Sequence, residues 1–498
     1  MRLYKMLGSV PLLSVIAGCV VGPTYQVPAP ATSSQAVLPK FQATLPQPAA
    51  AAASTNAASG TSDLTRWWSQ FDDPLMGELV ATAEANNPGV AQALARIAQA
   101  RATAVSSGSA LYPSLAANAS SIRSRSLSGG TGDTAFISTS SSATFDASWE
   151  LDLFGGKRKA ADAANARVSA RNADWYGARV SLAAEVGSAL VNYRACVATT
   201  EMLAQDLKSR EQTGQLTALK VKAGFTAPAD GALINGSTAD ARQKLIGQRS
   251  ECDLDVKALV ALTDIPEPVL RAKLALNQHL PQPHDIAVDS VPAQALSQRP
   301  DIAVAERELA AAGAEINVAQ ANRYPSISLL GSIGIGGLRF DGQSGHSKTW
   351  SFGPSLNLPL FDAGRRKAEV NLARARYDEA YAGYQLQVRT AVREIEEALV
   401  RLDAAARREN DAALAAQEYE RYYHANDDKF KAGSGSLFEL EDARRTFLAA
   451  QQTQISVQRE HVTAWIALYK ALGGGWRNDK EQAAIPASPA TAPNTDRS

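Results

Sequence analysis

The sequence lacks any excess of charge: 50 Lys and Arg balance 50 Asp and Glu over 498 residues. A nucleic-acid binder needs a basic surplus to displace phosphate counterions, so that class of partner is argued against. No run of about 20 apolar residues occurs, which excludes a membrane-spanning helix and leaves a lipid anchor or a β-barrel as routes to a membrane. Aromatics are scarce at 6%, and the many Ala, Gln, Ser and Arg residues favour long helices. Catalytic patterns are missing as well. Gly155-Gly156-Lys157 lacks the spacing and the Ser/Thr of a phosphate-binding loop. Gly331–Gly337 is glycine-rich but sits in a strand-like run. His279, His284, His346, His424 and His461 are scattered, without metal-ligand spacing or a neighbouring nucleophile. The expectation is no enzyme, no cofactor and no metal site.

Only three cysteines are present, and the first has a context of its own. Arg2 and Lys5 precede an apolar run, Met6–Ala17, too short to cross a bilayer; residues 1–18 read as a signal peptide. The run ends in Val15-Ile16-Ala17-Gly18-Cys19, which resembles a bacterial lipobox, with Cys19 as the lipidated residue. The alternative is an ordinary signal peptide with a chance Cys. Several acyl chains at about 0.8 kcal/mol per buried CH₂ make such an anchor stable. Val20 rather than Asp follows Cys19, which by the sorting rule points to the outer membrane. Residues 19–62, rich in Pro, Ala, Ser and Thr, bury too little apolar surface to offset ordering entropy and read as a flexible tether.

The rest of the chain repeats itself. Pro88-Gly89-Val90-Ala91 opens a helical pattern ending in Tyr112-Pro113-Ser114-Leu115; Pro300-Asp301-Ile302-Ala303 opens another ending in Tyr324-Pro325-Ser326-Ile327. Leu151-Asp152-Leu153-Phe154-Gly155-Gly156-Lys157-Arg158 is echoed by Leu358-Pro359-Leu360-Phe361-Asp362-Ala363-Gly364-Arg365-Arg366, and Lys222-Ala223-Gly224 by Lys431-Ala432-Gly433. Matches in order at an offset of about 210 residues identify a tandem duplication, with repeats at 63–275 and 276–472 and a tail at 473–498.

Each repeat has one plan. A helix of roughly 23 residues (88–110, 300–322) stops at the Tyr-Pro-Ser break, because Pro cannot continue it. Strand-like runs follow, about 114–152 and 326–360, joined by Gly- and Ser-rich stretches (Ser126–Asp133, Gly336–Lys348) that read as loops. Phe145, Ala147, Trp149 and Leu151 alternate with Thr144, Asp146, Ser148 and Glu150; Trp350, Phe352, Pro354 and Leu356 alternate with Ser351, Gly353 and Ser355. Period two with one apolar and one small polar face fits a transmembrane barrel, and equally a half-buried soluble sheet. Long proline-free helices follow, about 156–223 and 364–431, each on the order of 100 Å at 1.5 Å per residue. They turn at Gly224 and Gly433 and return as 228–262 and 436–472, giving hairpins over 156–262 and 364–472. Four strands cannot close a barrel, since about eight is the minimum. The chain must therefore oligomerise to hide its edges.

These features resemble the TolC-like outer-membrane factors of tripartite efflux pumps, in the lipoprotein subgroup typified by OprM and NodT. The likeness runs from Trp67-Trp68 to Ala467-Leu468-Tyr469-Lys470-Ala471-Leu472-Gly473-Gly474-Gly475-Trp476. It implies a mixed α/β membrane protein: a homotrimer with a 12-stranded transmembrane β-barrel in the outer membrane of a Gram-negative bacterium, continued by an α-helical periplasmic barrel. The implied partners are a periplasmic adaptor, an inner-membrane transporter and outer-membrane lipid. The implied function is a passive exit duct for drugs or other small solutes. Two alternatives stay open: the duct of a type I protein-secretion system, and a non-conducting periplasmic scaffold lipoprotein.

The resemblance also directs attention to the hairpin ends. It matches Glu439 and Asp442 to acidic rings of the periplasmic gate, with Asp230 at the equivalent place in the first repeat. Three-fold symmetry would gather these carboxylates and raise their pKa values. The other reading is that they are solvated acids favoured by helix starts. Gly435 stands where TolC has a gate-locking Arg and Phe430 where it has a Tyr, so closure is expected to depend on packing. Gly224, Phe225, Gly433 and Ser434 match the adaptor-contacting tips, although a turn alone explains the glycines. Cys196 and Cys252 lie equally far from Gly224 on the two arms of the first hairpin, hence at one height. In an oxidising compartment they form a candidate disulfide; two separately buried thiols are the alternative.

Overall fold

A computed structural model of the chain describes residues 22, 24–26, 43, 67–68, 71, 73–127, 135–283, 296–340 and 343–475. The expected signal peptide, Cys19, most of the expected tether, most of the Ser126–Asp133 stretch, His284 and the tail from Trp476 lie outside the described residues. Helices α1 (Pro74–Asn86) and α2 (Pro88–Ser109) lead into strands β1 (Ser114–Leu127) and β2 (Ala135–Leu151). Helices α3 (Gly156–Lys222), α4 (Pro228–Thr263) and α5 (Glu267–Leu276) complete the first repeat. The second comprises α6 (Pro300–Ala321), β3 (Ser326–Phe340), β4 (Gln343–Asn357), α7 (Arg365–Lys431) and α8 (Leu437–Ala471). Both long helices have 67 residues, so each extends about 100 Å at 1.5 Å per residue. Among the described residues, no helix is long and apolar enough to cross a membrane.

The duplicated Leu-Phe motifs are helix starts. Asp152 accepts the Lys157 and Arg158 backbone N–H groups at 2.9 and 3.0 Å. Its counterpart Asp362 accepts those of Gly364 and Arg366 at 3.0 and 3.2 Å. Each carboxylate thus satisfies orphan donors at the positive end of a long helix dipole.

The chain forms two compact units, with α3 and α7 supplying residues to both. The first contains residues 96–172 and 304–385 and holds the sheet, antiparallel throughout in the order β1-β2-β3-β4. The Gly336–Lys348 stretch, expected as a loop, is instead mostly strand: β3 and β4 pair up to Phe340 and Gln343. Glycines at 336 and 337 mislead there, because a strand whose neighbours carry Ser and His tolerates them as well as a turn does. In the helical part of this unit, Ala161, Ala163, Ala164, Ala170, Ala311 and Ala312 are buried, and such small side chains let helix backbones approach closely. Arg171 pairs with Glu308 at 2.9 Å, and Arg167 with Glu315.

The second unit contains residues 29–95, 173–303 and 386–498, and its core is aromatic. Trp67 meets Trp465 and Tyr469 at ring separations of 5.8 and 5.4 Å, and Trp68 meets Tyr469 at 4.9 Å. Met76, Leu79, Leu190, Val256, Leu259 and Leu270 complete it. α1 and α5, which the sequence did not announce, cover this core. Arg194 fixes them: fully buried, it donates to Asp73 at 3.2 Å and to the Leu274 carbonyl at 2.7 Å. The Leu472-Gly473-Gly474-Gly475 run closes α8 under steric compulsion. Gly473 has φ +85°, and a Cβ there would sit 2.2 Å from the Gln298 carbonyl oxygen, so only glycine fits.

Candidate functional site

Two regions carry the features that function requires, one in each unit. In the first unit the register sorts side chains onto two faces of the sheet, since successive residues point to opposite sides. One face presents rows that cross the strands. Leu115, Ala147, Gly331 and Phe352 form one row, and Ala117, Phe145, Ile333 and Trp350 the next. From the Leu151 row to the row of Ala119, Ala143 and Ile335 is about 27 Å along the strands at ~3.4 Å per residue. A tilt of about 40° reduces this to roughly 21 Å, near the ~25 Å height of the outward apolar band of outer-membrane barrels. These side chains are exposed although apolar: Phe145 is 58% accessible, Phe352 75% and Trp350 81%. A contiguous apolar face of this size marks a surface that another phase or partner covers. Tyr112, Trp149 and Phe361 are also exposed at its helix-side border, where interfacial aromatics belong.

The opposite face is mostly small and polar, interrupted by Ile122, Leu330, Leu338 and Phe340, and its hydroxyls bond one another across the strands. Ser114 bonds Ser148 at 2.9 Å, Ser120 bonds Ser142 at 3.0 Å, and Ser124 bonds Ser138 at 3.0 Å. Asp146 ties three strands by accepting from Ser332 at 2.6 Å, Asn118 at 2.7 Å and Thr144 at 2.9 Å. A wall of short hydroxyls suits an aqueous lumen. The outer strands β1 and β4 have no strand partner on their far sides among the described residues.

Beside α6 in the same unit, the Tyr25 hydroxyl donates to Glu306 at 2.7 Å. Burial, with Glu306 beside it, pushes the phenol above its ordinary pKa. A segment shortly after Cys19 is therefore seated against the helices. In the second unit the Ala43 amide donates to Glu396 at 2.9 Å.

The second region is the hairpin ends, both in the second unit. Each long helix closes with the same hydrogen-bond pattern. Phe225 N–H reaches the Lys220 carbonyl at 2.9 Å and Ser434 N–H the Lys429 carbonyl at 2.9 Å. Gly224 and Gly433 adopt φ of +75° and +80°, the left-handed C′ position of this helix-stop motif. Phe225 projects into solvent at 85% exposure. Behind the turns, Phe430, Leu437, Leu440, Tyr423 and Ile234 form a buried cluster. The Lys220 ammonium stands 4.1 Å over the Phe430 ring and donates to its carbonyl at 3.0 Å. Phe430 is thus a packing residue.

The three acidic residues expected at the gate each have a local partner. Glu439 and Ser436 form a reciprocal capping box: Ser436 N–H donates to Glu439 at 3.0 Å, and Glu439 N–H to Ser436 Oγ at 3.2 Å. Those hydrogen bonds hold the Glu439 carboxyl below its ordinary range, opposite in direction to the rise that clustering would produce. Asp442 pairs with Arg445 one turn on. Asp230 accepts from Thr226 Oγ1 at 2.5 Å in the first turn of α4. Because the pKa of Glu439 is depressed on folding, its cap contributes fully above the unfolded value and is lost as pH falls through the folded one. Hydrogen exchange at the start of α8, measured from pH 6 downward, should show protection dropping only below the ordinary Glu range, and E439A should remove that pH dependence.

Behind this turn lies a group that sequence reasoning missed. Arg444, 2% exposed, donates to Ser209 Oγ at 3.1 Å and Thr213 Oγ1 at 3.0 Å, and pairs with Glu441. Arg210 pairs with Asp206 at 2.9 Å and also with Glu441. Ser209 in turn bonds the Tyr423 hydroxyl at 2.7 Å. Two cations and two anions thus neutralise each other between α3 and α8. Farther up the first hairpin, Cys196 and Cys252 are joined, with Cα atoms 5.5 Å apart.

Among the described residues, no group of three or more His, Cys, Asp or Glu is placed to hold a metal ion. The Outer membrane efflux protein family matches residues 79–263 and 291–474. Nodulation protein T of Rhizobium leguminosarum bv. viciae is 29% identical over 99% of this chain and 98% of its own length. The toluene efflux pump outer membrane protein TtgF of Pseudomonas putida is 32% identical over 98% of this chain and 99% of its own. The outer-membrane channel OprN superposes with a TM-score of 0.77 at 27% identity, over 92% of this chain and all of that one. An apolar-banded sheet, two long helical hairpins and this agreement along nearly the whole length have one meaning: the chain belongs to the outer membrane efflux protein family.

Proposed function

We propose that the chain is the exit duct of a tripartite efflux system, passively conducting drugs or other small solutes across the outer membrane. The observation that carries this reading is the four-stranded sheet with one apolar face, one hydroxyl-lined face and two open edges. Open edges inside a bilayer leave backbone groups unsatisfied, so β1 of one copy pairs with β4 of the next. Eight strands enclose only enough space for side chains to fill. Three copies give twelve strands and an aqueous lumen, which suits the short Ser and Thr side chains of the inner face. A non-conducting scaffold has no use for that face. The reading assigns no catalysis to the chain.

In this reading Cys19 carries the lipid anchor, and the contact of Tyr25 with Glu306 sets its height. Gly224, Phe225, Gly433 and Ser434 present the tips to a periplasmic adaptor, itself joined to an inner-membrane transporter, and the Cys196–Cys252 link ties the first hairpin. Glu439, Asp442 and Asp230 are the gate acids, gathered when three copies meet. Planar-bilayer recording of the purified protein tests this. The native protein should run as a heat-modifiable trimer and form channels, and E439A/D442A should raise conductance or weaken block by divalent cations. Native protein without channel activity rejects the duct. Identical recordings from native and variant proteins reject the gate assignment.

A further inference from the structure

The strands contain charged residues that the duct reading does not use. In β1 to β4 they are Arg123, Arg125, Asp146, Glu150, Arg339 and Lys348. The register divides them by sign. Asp146 and Glu150 fall on the hydroxyl-lined face. All four cations fall on the apolar face, toward the Leu127, Ala135, Phe340 and Gln343 ends of the strands: Lys348 in the last aliphatic row, level with Ile335, and the three Arg beyond it, with Ile137 opposite Arg125. Arg123, Thr139 and Arg339 occupy one row, which places the two Arg about 10 Å apart across β2 at ~4.8 Å per strand. Arg125 continues the β1 column one step beyond, and Lys348 stands level with Ile335 at the upper edge of the apolar band. All four are exposed, and among the described residues none forms an ion pair.

Chance or solubility would scatter charges over both faces. A lumenal role would put them on the hydroxyl side. Cations without counter-ions, at the upper edge of an apolar band and beyond it, on its face alone, match a layer that presents hydrocarbon below and anionic groups above.

We propose that Arg123, Arg125, Arg339 and Lys348 form a collar that binds the phosphate groups of outer-leaflet glycolipid headgroups. The proposal rests on the reading of the apolar face as lipid-facing. A planar guanidinium engages phosphate through two parallel N–H···O bonds, and the Arg123–Arg339 pair offers two such forks in one row. Lys348 lays its aliphatic stem along the band and lifts its ammonium to the headgroup level. The facing Ser121, Ser141, Thr139 and Ser344 are small, so headgroups reach the cations.

The test uses the full chain purified in detergent and titrated with diphosphorylated lipid A, bound copies being counted by native mass spectrometry. The expected result is a tenfold or greater loss of affinity in R123Q/R125Q/R339Q/K348Q, and a similar loss for native protein offered dephosphorylated lipid A. The second arm needs no variant. E150Q, on the other face, should bind like the native protein. Equal binding of phosphorylated and dephosphorylated lipid overturns the proposal, as does full competition by inorganic phosphate at the concentration of the lipid, which would indicate an ion site only. Flotation with phosphatidylcholine vesicles separates the two readings. Native protein that does not float fails the lipid-facing assignment and the collar with it. Native protein that floats but shows no phosphate preference fails the collar alone.

Discussion

Replacing Arg194 by Met should destabilise the protein by about 3–5 kcal/mol, the cost of leaving a buried charge without its partner. Arg194 is 0% exposed and Asp73 1%, so water cannot take over when the guanidinium is removed. The Asp73 carboxylate has a second duty: its Oδ1 accepts the Leu75 N–H at 3.1 Å and caps α1. The Leu274 carbonyl loses its donor in the same substitution, so α5 loosens with α1. D73A should cost a comparable amount, because it strands the guanidinium and removes a cap worth about 1 kcal/mol. The double variant should be markedly less destabilised than the two singles summed, since each single counts the same broken pair. Denaturant unfolding followed by tryptophan fluorescence reads this directly, with Trp67 and Trp68 in the affected core. A loss below 1 kcal/mol in R194M, or strict additivity, would show that the pair does not hold the core together.

Much of the fold is legible because proline and glycine punctuate it. Pro88, Pro228 and Pro300 each open a helix, and Gly224 and Gly433 each close a long one through a positive φ that other residues avoid. The strands declare themselves by alternation where one face carries large apolar groups, as around Phe145 and Trp350. The signal fails at Gly336–Lys348, where Gly, Ser and His replace the apolar residues although pairing continues. α1 and α5 are hidden because their 13 and ten residues are too few to establish a period. The hairpin-end acids are partly legible. Ser436-Leu437-Phe438-Glu439 is a capping box by spacing alone, which explains why Glu439 stands there before any gate is invoked. The Arg444 group has no local signature: its links to Ser209 and Thr213 join residues more than two hundred positions apart. The collar is readable only once register is known, because a one-residue slip would move every cation to the other face.

The adjacent residues Arg444 and Arg445 should respond oppositely to one substitution. R444M is expected to cost about 3–5 kcal/mol, as breaking a buried ionic group does, whereas R445M should cost about 0–1 kcal/mol, as loss of an exposed pair does. The difference follows from where one helical step puts each side chain. Arg445 is 75% exposed and touches Asp442 on its own helix, so water replaces the lost contact. Arg444 is 2% exposed and connects α8 to α3 through Glu441, Ser209 and Thr213. Its removal leaves Glu441 and Asp206, both negative, sharing Arg210 alone in a place with little access to water. The Coulomb balance of two against two becomes one against two, and the start of α8 separates from α3. Hydrogen exchange should therefore rise over the first turns of α8 and around Thr213 in R444M, while R445M exchanges like the native protein. In planar bilayers R444M should also raise conductance, because this group fixes the hairpin end that carries Glu439 and Asp442. If both variants exchange and conduct alike, the buried group does not position the hairpin end.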